Sequence, residues 1–176
     1  MKVLIACECS GRVKTAFRER GHDAWSCDIK PSEIEGDKFH FQADIFEHLN
    51  DGWDLMIAFP DCTYLAVSGA RWFKNEDRIK AQNLAIKFFL GLALAQIHKI
   101  AIENPIGIMS TRWRKPNQIL QPWQFGHGEV KATCLWLKNL PLLKPTNIVE
   151  GRSPVVHRMA PGPNRKTDRA RTYQGF

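Results

Sequence analysis

Two short motifs at the ends of apolar runs hold the residue types that covalent catalysis needs. The run 55–58 ends in Phe59-Pro60-Asp61-Cys62, and the run 100–102 ends in Glu103-Asn104-Pro105. Both runs predict buried strands, and the carboxyl ends of parallel strands meet at one edge of a sheet. A thiol is mostly protonated at neutral pH and needs activation, while a partly buried carboxyl holds its proton more tightly. The pattern therefore predicts a nucleophile, Cys62, and an acid, Glu103, on one edge of a sheet.

The elements that would position this pair alternate between strand and helix. We predict strands over 3–6, 24–29, 39–45, 55–59, 100–103 and 133–140, and helices over 10–20 and 78–98. Such alternation predicts an α/β fold with a mostly parallel sheet and helices on both faces. The 176 residues suffice for one domain of this kind. We assign residues 1–150 to a catalytic domain, and 151–176 to a basic segment, rich in Pro and Gly, that packs on it or extends from it.

Acidic residues at other strand ends predict a nucleoside site on the same edge. Ser10-Gly11 opens the first helix directly after the first strand, and a glycine there lets a ligand approach the backbone. Asp28 ends the second strand, where a carboxylate accepts hydrogen bonds from ribose hydroxyls in nucleoside-binding α/β folds. Asp44 follows the third strand and offers an acceptor for an adenine amino group. Each acid alone is more often a cap or a solvated side chain. The glycine motif and the two acids in order, each at a strand end, favour a nucleoside cofactor.

The charge of the chain is concentrated in its last third. Residues 1–107 hold 13 Lys and Arg against 15 Asp and Glu, whereas residues 108–176 hold 12 against 3. The net charges are therefore −2 and +9, which together give the +7 of the whole chain. A basic region of this kind favours a polyanion or a nucleotide phosphate as partner.

Other features indicate a cytoplasmic protein. The five cysteines have no metal-binding spacing, so we expect no metal, reduced thiols and four inert cysteines beside Cys62. The longest apolar stretch, 88–97, is too short to span a bilayer, and no basic-then-apolar signal segment opens the chain. We therefore expect no membrane partner.

Together the motifs resemble those of the cytosine-C5 methyltransferase family, in family order over nearly the whole chain. Ser10-Gly11 resembles the first glycine motif, and Asp28 and Asp44-Ile45 resemble the second and third cofactor motifs. Phe59-Pro60-Asp61-Cys62 is similar to the Pro-Cys nucleophile motif, with Ser68-Gly69 downstream. Glu103-Asn104-Pro105 is similar to the Glu-Asn-Val motif, and 171–176 resembles the late Arg-x-x-Gln-Gly-Phe motif. Short, phage-type members are the most similar, which implies the host-cell cytoplasm as location.

The resemblance implies a Rossmann-like, S-adenosylmethionine-dependent methyltransferase fold and a covalent mechanism. Cys62 would add to carbon 6 of cytosine, and Glu103, with Asn104 beside it, would hold the ring N3 and the exocyclic amine. Carbon 5 then accepts a methyl group from S-adenosylmethionine, which leaves as S-adenosylhomocysteine. The residues that the resemblance assigns to the cofactor are Ser10, Gly11, Asp28, Ile29, Asp44, Ile45 and Pro60.

The sequence also departs from the family pattern. Cys9 stands where the first motif usually has an aromatic residue, and Arg12-Val13 replaces the second glycine pair. Asp61 precedes the nucleophile in place of a second proline, and a carboxylate there raises the pKa of the thiol unless it is paired. No Gln-x-Arg-x-Arg motif is present. Candidates for the cation on the base carbonyl are Gln124 with Lys131, or His127.

Three functions remain open from the sequence. The leading one is methylation of DNA, with phosphate contacts from basic residues of the last third: Arg152, Arg158, Arg165, Lys166, Arg169 and Arg171. Lys131 is a further candidate for substrate binding. The second is C5 methylation of a free nucleotide such as dCMP, since no segment is long enough for a separate target-recognition domain. The third is a non-catalytic nucleic-acid-binding protein that keeps the fold.

Overall fold

A computed structural model describes residues 1–67, 76–160 and 162–163 of the chain. Its strands are β1 (Lys2–Ala6), β2 (Asp23–Asp28), β3 (His40–Gln42), β4 (Leu55–Ala58), β5 (Lys99–Pro105), β6 (Gln118–Leu120) and β7 (Thr133–Lys138). Its helices are α1 (Arg12–Arg18), α2 (Glu76–Ala93), α3 (Met109–Arg112) and α4 (Val155–Arg158), with short 3-10 turns at Ile45–Glu47 and Pro122–Gln124.

All seven strands form one mixed sheet in the order β3-β2-β1-β4-β5-β7-β6. The first five in this order are parallel, and β7 is antiparallel to both β5 and β6. The prediction of a mostly parallel sheet is confirmed. The strand predicted over 133–140 is also present, but its reversed direction and the three-residue β6 were not predicted, because neither leaves a periodic pattern in the sequence.

Both faces of the sheet are covered by helices, as predicted. Successive residues of a strand point to opposite faces. In β1, Val3 and Ile5 pack in one cluster with Val13 and Phe17 of α1. The intervening Leu4 and Ala6 pack in a second cluster that contains Phe89 and Leu92 of α2. The four core residues of β1 are fully buried, which explains why this strand is a continuous apolar run rather than an alternating one.

The third predicted strand is shorter than expected. It ends at Gln42, and Asp44 caps the 3-10 turn by accepting a hydrogen bond from the Phe46 N–H at 3.0 Å. This cap turns the Ile45 side chain into the core, where it is 4% exposed. The second helix likewise ends at Ala93, several residues before the predicted end.

The strand order defines where a ligand can approach the sheet. The chain runs outward from β1 through β2 to β3, and then returns to place β4 on the other side of β1. Loops that follow β1 and β4 therefore diverge and leave a crevice at the carboxyl ends of these two strands, which is the usual ligand position in open α/β sheets. None of the described helices is long and apolar enough to cross a membrane.

Candidate functional site

The turn after β1 binds its own carboxylate at the start of α1. Cys7 and Gly11 adopt left-handed backbone conformations, with φ of 60° and 68°. Glu8 is 6% exposed, and its carboxylate accepts hydrogen bonds from the Val13 N–H at 2.8 Å and the Lys14 N–H at 3.3 Å. Burial raises the pKa of Glu8, and these bonds oppose the increase. The helix N-terminus, which holds a phosphate in many α/β proteins, is here occupied by Glu8.

Ser10 and Gly11 support this turn. The Ser10 hydroxyl donates to the Glu8 carboxylate at 3.2 Å. A Cβ atom on Gly11 would lie 2.4 Å from the Ile34 side chain, and the positive φ of Gly11 also disfavours any other residue. Both predicted residues therefore lie at the crevice, but Glu8, which the sequence analysis did not select, organises the turn.

The acids after β2 and β3 lie at the same end of the sheet. Asp28 ends β2, and one of its carboxylate oxygens accepts a hydrogen bond from the Lys30 N–H at 2.9 Å. Ile29 follows it with 77% of its surface exposed, so an apolar surface lies directly beside the carboxylate. Asp44 is exposed, whereas the buried Ile45 offers only its backbone to this side.

The loop after β4 carries the predicted nucleophile. The Phe59 N–H donates to the Ala6 carbonyl at 3.0 Å, which ties the start of the loop to β1. Pro60 is buried and Cys62 is partly exposed. The Cys62 carbonyl accepts from the N–H groups of Leu65 and Ala66, at 3.0 and 2.9 Å, so that Cys62 begins a tight turn.

Asn104 fixes this loop from the neighbouring strand. Its side-chain NH₂ donates to the Pro60 carbonyl at 2.8 Å, across 44 residues of sequence. Asn104 is 1% exposed, and its side-chain oxygen is buried without a hydrogen-bond partner in the described part of the chain. An unpaired buried acceptor is unfavourable. Asn104 therefore leaves one buried acceptor unpaired, while its NH₂ group holds the chain two residues before Cys62.

Two further contacts that sequence analysis missed hold the other end of the loop. Gln82 of α2 is 7% exposed and donates to the Tyr64 carbonyl at 3.1 Å. Gly107 lies against the same turn, and a Cβ atom on it would lie 2.1 Å from the Leu65 carbonyl oxygen. A polar residue on an otherwise core-facing helix is the only sequence signal for Gln82, and Gly107 gives none.

Glu103 of β5 lies within the electrostatic reach of Cys62. Burial raises the pKa of Glu103, while the charge of Lys131 and a hydrogen bond from the Thr133 hydroxyl lower it; the net shift is upward. The pKa of the Cys62 thiol is also raised, mainly by burial and then by the charges of Asp61 and Glu103, with Lys131 acting in the opposite direction. A carboxyl with a raised pKa is suited to hold or donate a proton near neutral pH.

Lys131 is a candidate for the cation of this site. It precedes β7, which is hydrogen-bonded to β5 and brings Thr133 opposite Pro105. The charge of Lys131 lowers the pKa of both Cys62 and Glu103. Of the alternatives, Gln124 is engaged elsewhere, since its side-chain oxygen accepts from the Gln121 N–H at 2.8 Å.

The remaining cysteines differ in burial. Cys27 and Cys134 are 0% and 1% exposed, and burial raises the pKa of each to about 11, which agrees with the inert role predicted for them. Cys7 and Cys9 are partly exposed, and burial is the main cause that raises the pKa of both. The described residues contain no group of three or more His, Cys, Asp or Glu side chains placed to hold a metal ion.

Most of the predicted nucleic-acid contacts cannot be placed. Arg165, Lys166, Arg169 and Arg171 lie outside the described residues, as does Ser68-Gly69. Of the other basic residues predicted to bind DNA, Arg152 stacks on the Trp123 ring at 3.7 Å, beside the loop that leads to Lys131. The segment around Arg152 is joined to this loop, because the Ser153 N–H donates to the Gly128 carbonyl at 2.8 Å.

Comparison with known proteins bears on the fold. No protein-family model matches the sequence, and no curated protein matches it. A similar solved structure is an E. coli prophage-encoded protein described as a candidate DNA modification methyltransferase, with 16% sequence identity and a TM-score of 0.54. The match covers 84% of this chain and 51% of that one, so this chain spans about half the length of its structural neighbour. At this identity the likeness concerns the fold alone.

The chain has a Rossmann-like α/β fold. This confirms the fold class predicted from the sequence, including the sheet covered on both faces. Gly11, Asp28, Asp44 and Cys62 all follow or end strands of the parallel part of the sheet and therefore lie at its carboxyl end, with Glu103 on the adjacent β5.

Proposed function

We propose that this chain transfers a methyl group from S-adenosylmethionine to carbon 5 of cytosine in DNA, through a covalent bond between Cys62 and carbon 6. The observation that carries the proposal is the placement of Cys62 after β4 and of Glu103 on the adjacent parallel β5, with the loop of Cys62 held to β5 by the hydrogen bond from Asn104 to Pro60. The charge of Lys131 acts on both groups. These three groups supply a nucleophile, a proton holder and a cation at one edge of a methyltransferase fold.

The residues of the crevice fit an adenosine that carries no phosphate. Glu8 occupies the N-terminus of α1, so a pyrophosphate of a dinucleotide would meet a carboxylate where it needs free N–H groups. Asp28 offers carboxylate oxygens for ribose hydroxyls, and the exposed Ile29 offers an apolar contact for a purine face. In this proposal Ser10, Gly11, Asp44, the backbone of Ile45 and Pro60 line the remainder of the cofactor site.

The proposed mechanism assigns a proton or a bond to each residue. The Cys62 thiolate attacks carbon 6, and Glu103 donates a proton to N3, so that negative charge does not build up on the ring and carbon 5 becomes nucleophilic. When bound, S-adenosylmethionine supplies an electrophilic methyl group for carbon 5. A base then removes the proton from carbon 5, the double bond re-forms, Cys62 leaves as thiolate, and Glu103 takes back the proton from N3. Lys131 stabilises the thiolate and balances the charge beside Glu103.

Asn104 acts in this scheme as a positioning residue. It contacts the Pro60 carbonyl rather than the nucleophile itself, and so fixes where Cys62 stands relative to Glu103. A displacement of about 1 Å in such a site lowers the rate about 10²-fold. DNA is the favoured substrate because the last third of the chain is strongly basic.

The test is methyl transfer from radiolabelled S-adenosylmethionine to duplex DNA, single-stranded DNA and dCMP in parallel. We expect label in DNA, and its loss in Cys62→Ser with cofactor binding unchanged, because the serine hydroxyl is a far weaker nucleophile at neutral pH. DNA that contains 5-fluorocytosine should trap the wild-type protein covalently, since fluorine cannot leave as a proton does. Label in dCMP alone would replace the DNA proposal with the nucleotide enzyme, and cofactor binding without label in any substrate would favour a non-catalytic binding protein.

A further inference from the structure

Asp61 places a negative charge where it works against the nucleophile. It directly precedes Cys62, and its charge is the largest electrostatic cause, after burial, of the raised pKa of that thiol. The position is exposed to solvent. A carboxylate here makes the thiolate harder to form, so its contribution to the site must lie with another group.

The Asp61 carboxylate is held in a defined orientation. One of its oxygens accepts hydrogen bonds from the Thr63 N–H, at 2.8 Å, and from the Thr63 hydroxyl. The residue before it is also fixed, because the Pro60 carbonyl accepts from Asn104. Asp61 therefore stands between two anchored positions of the chain, rather than at the tip of a free loop.

Asp61 belongs to a loop that carries the nucleophile and is also joined to the end of β1. The start of its loop is hydrogen-bonded to Ala6 at the end of β1, so that Asp61 and Cys7 follow adjacent strands. The charge of Asp61 raises the pKa of Cys7 also, together with the charges of Asp28 and Asp44. Asp61 thus follows β4, next to the end of β1, and directly precedes the residue proposed to bond to cytosine.

We propose that Asp61 binds the positively charged sulfur of S-adenosylmethionine and gives the site a preference for this cation over the neutral sulfur of S-adenosylhomocysteine. The inference rests on the proposed cofactor. Transfer of the methyl group removes the positive charge from sulfur, so the carboxylate attracts the cofactor before the reaction and loses this attraction afterwards. Asp61 in this way weakens product inhibition, at the expense of a less acidic thiol.

The test compares the dissociation constants of three ligands by calorimetry, for wild type and Asp61→Asn. The ligands are S-adenosylmethionine, sinefungin, which carries a protonated amine in place of the sulfonium, and S-adenosylhomocysteine. We expect Asp61→Asn to bind the two cations about five- to tenfold more weakly and the neutral product about equally well. Asp61→Glu, which keeps the charge, should retain most of the preference.

Asp28→Asn is the matched control. Its proposed partner is the ribose, which is common to the three ligands, so all three should weaken by the same factor. Equal weakening of the three ligands in Asp61→Asn, or none, would overturn the inference while leaving the proposed function intact. If the wild-type protein binds none of the three, both the proposed function and this inference fall. A thermal unfolding midpoint equal to that of wild type verifies that Asp61→Asn remains folded.

Discussion

On the β1–β3 side of the sheet, carboxylates are bound by backbone amides close to them in sequence, whereas on the β4–β5 side the important contacts come from distant residues. Glu8 caps the amides of Val13 and Lys14, and Asp28 and Asp44 each accept from an amide two residues later. Across the sheet, by contrast, Asn104 reaches back 44 residues to Pro60.

The charged groups on the two sides of the sheet have different roles. Those on the β1–β3 side stabilise the fold, and those on the β4–β5 side belong to the proposed reactive site. On the first side, charges are neutralised where they stand: Lys14 and Asp37 form an ion pair with side chains 2% and 5% exposed. Burial alone would raise the pKa of Asp37, but hydrogen bonds from Lys14, Ser32 and the Phe39 N–H outweigh it and lower that pKa to about 2. On the second side, the pKa values of Cys62 and Glu103 remain raised, so the thiol and the carboxyl hold their protons more tightly, and the charge of Lys131 opposes both shifts.

The largest expected effect is a loss of stability when the Lys14–Asp37 ion pair on the β1–β3 side is removed. Lys14→Met leaves the Asp37 carboxylate buried without its cation, and we expect the free energy of unfolding to fall by about 3–5 kcal/mol at neutral pH. Because the folded pKa of Asp37 is below its unfolded value, the stability it contributes is present above about pH 4 and is lost as pH falls towards about pH 2. Denaturant unfolding of both proteins between these pH values measures the effect.

The control for this prediction is an exposed pair. Asp51→Asn removes the partner of His48, at 2.9 Å on the surface, and should change the stability by less than about 1 kcal/mol. In folded Lys14→Met the alkylation rate of Cys62 should equal that of wild type. A changed rate would show that the β1–β3 and β4–β5 sides of the sheet are coupled rather than independent.

The same difference explains what the sequence could predict. Asp28 and Asp44 follow apolar runs directly, so local pattern alone was enough to select them. The hydrogen bond of Asn104 was not predicted, since its partner carbonyl is known only once β4 and β5 are adjacent. The contact of Gln82 with Tyr64 and the antiparallel direction of β7 depend likewise on tertiary contacts, which local sequence does not reveal.

The second prediction concerns the hydrogen bond that joins Asn104 of β5 to the loop that carries Cys62. Asn104→Leu conserves approximate volume but removes the hydrogen bond to Pro60. It also removes the unpaired side-chain oxygen, so we expect a loss of only about 1–2 kcal/mol in the free energy of unfolding. The rate of methyl transfer should fall about 10²-fold, because Cys62 is no longer held in place. Cofactor affinity, measured by calorimetry, should stay within about twofold.

A conservative variant separates positioning from folding for this residue. Asn104→Gln keeps the amide but displaces it by one methylene group, and should recover stability more than rate. Equal losses of rate and stability in both variants would make Asn104 a packing residue only.

The smallest expected effects are two opposite shifts in the pKa of the Cys62 thiol, on the β4–β5 side of the sheet. Lys131→Met removes the cation that lowers the pKa of the thiol, so that less thiolate is present and iodoacetamide alkylation at pH 8 should slow about threefold. Glu103→Gln removes a negative charge, so the pKa should fall and alkylation should accelerate, but only above the pKa of Glu103, where the wild-type carboxyl is ionised. Peptide mass spectrometry resolves Cys62 from Cys9, whose pKa is set by burial and then by Asp28 and Glu33, and whose rate should not change. Changes of the same sign in both variants would mean that loop structure, rather than charge, controls the thiol.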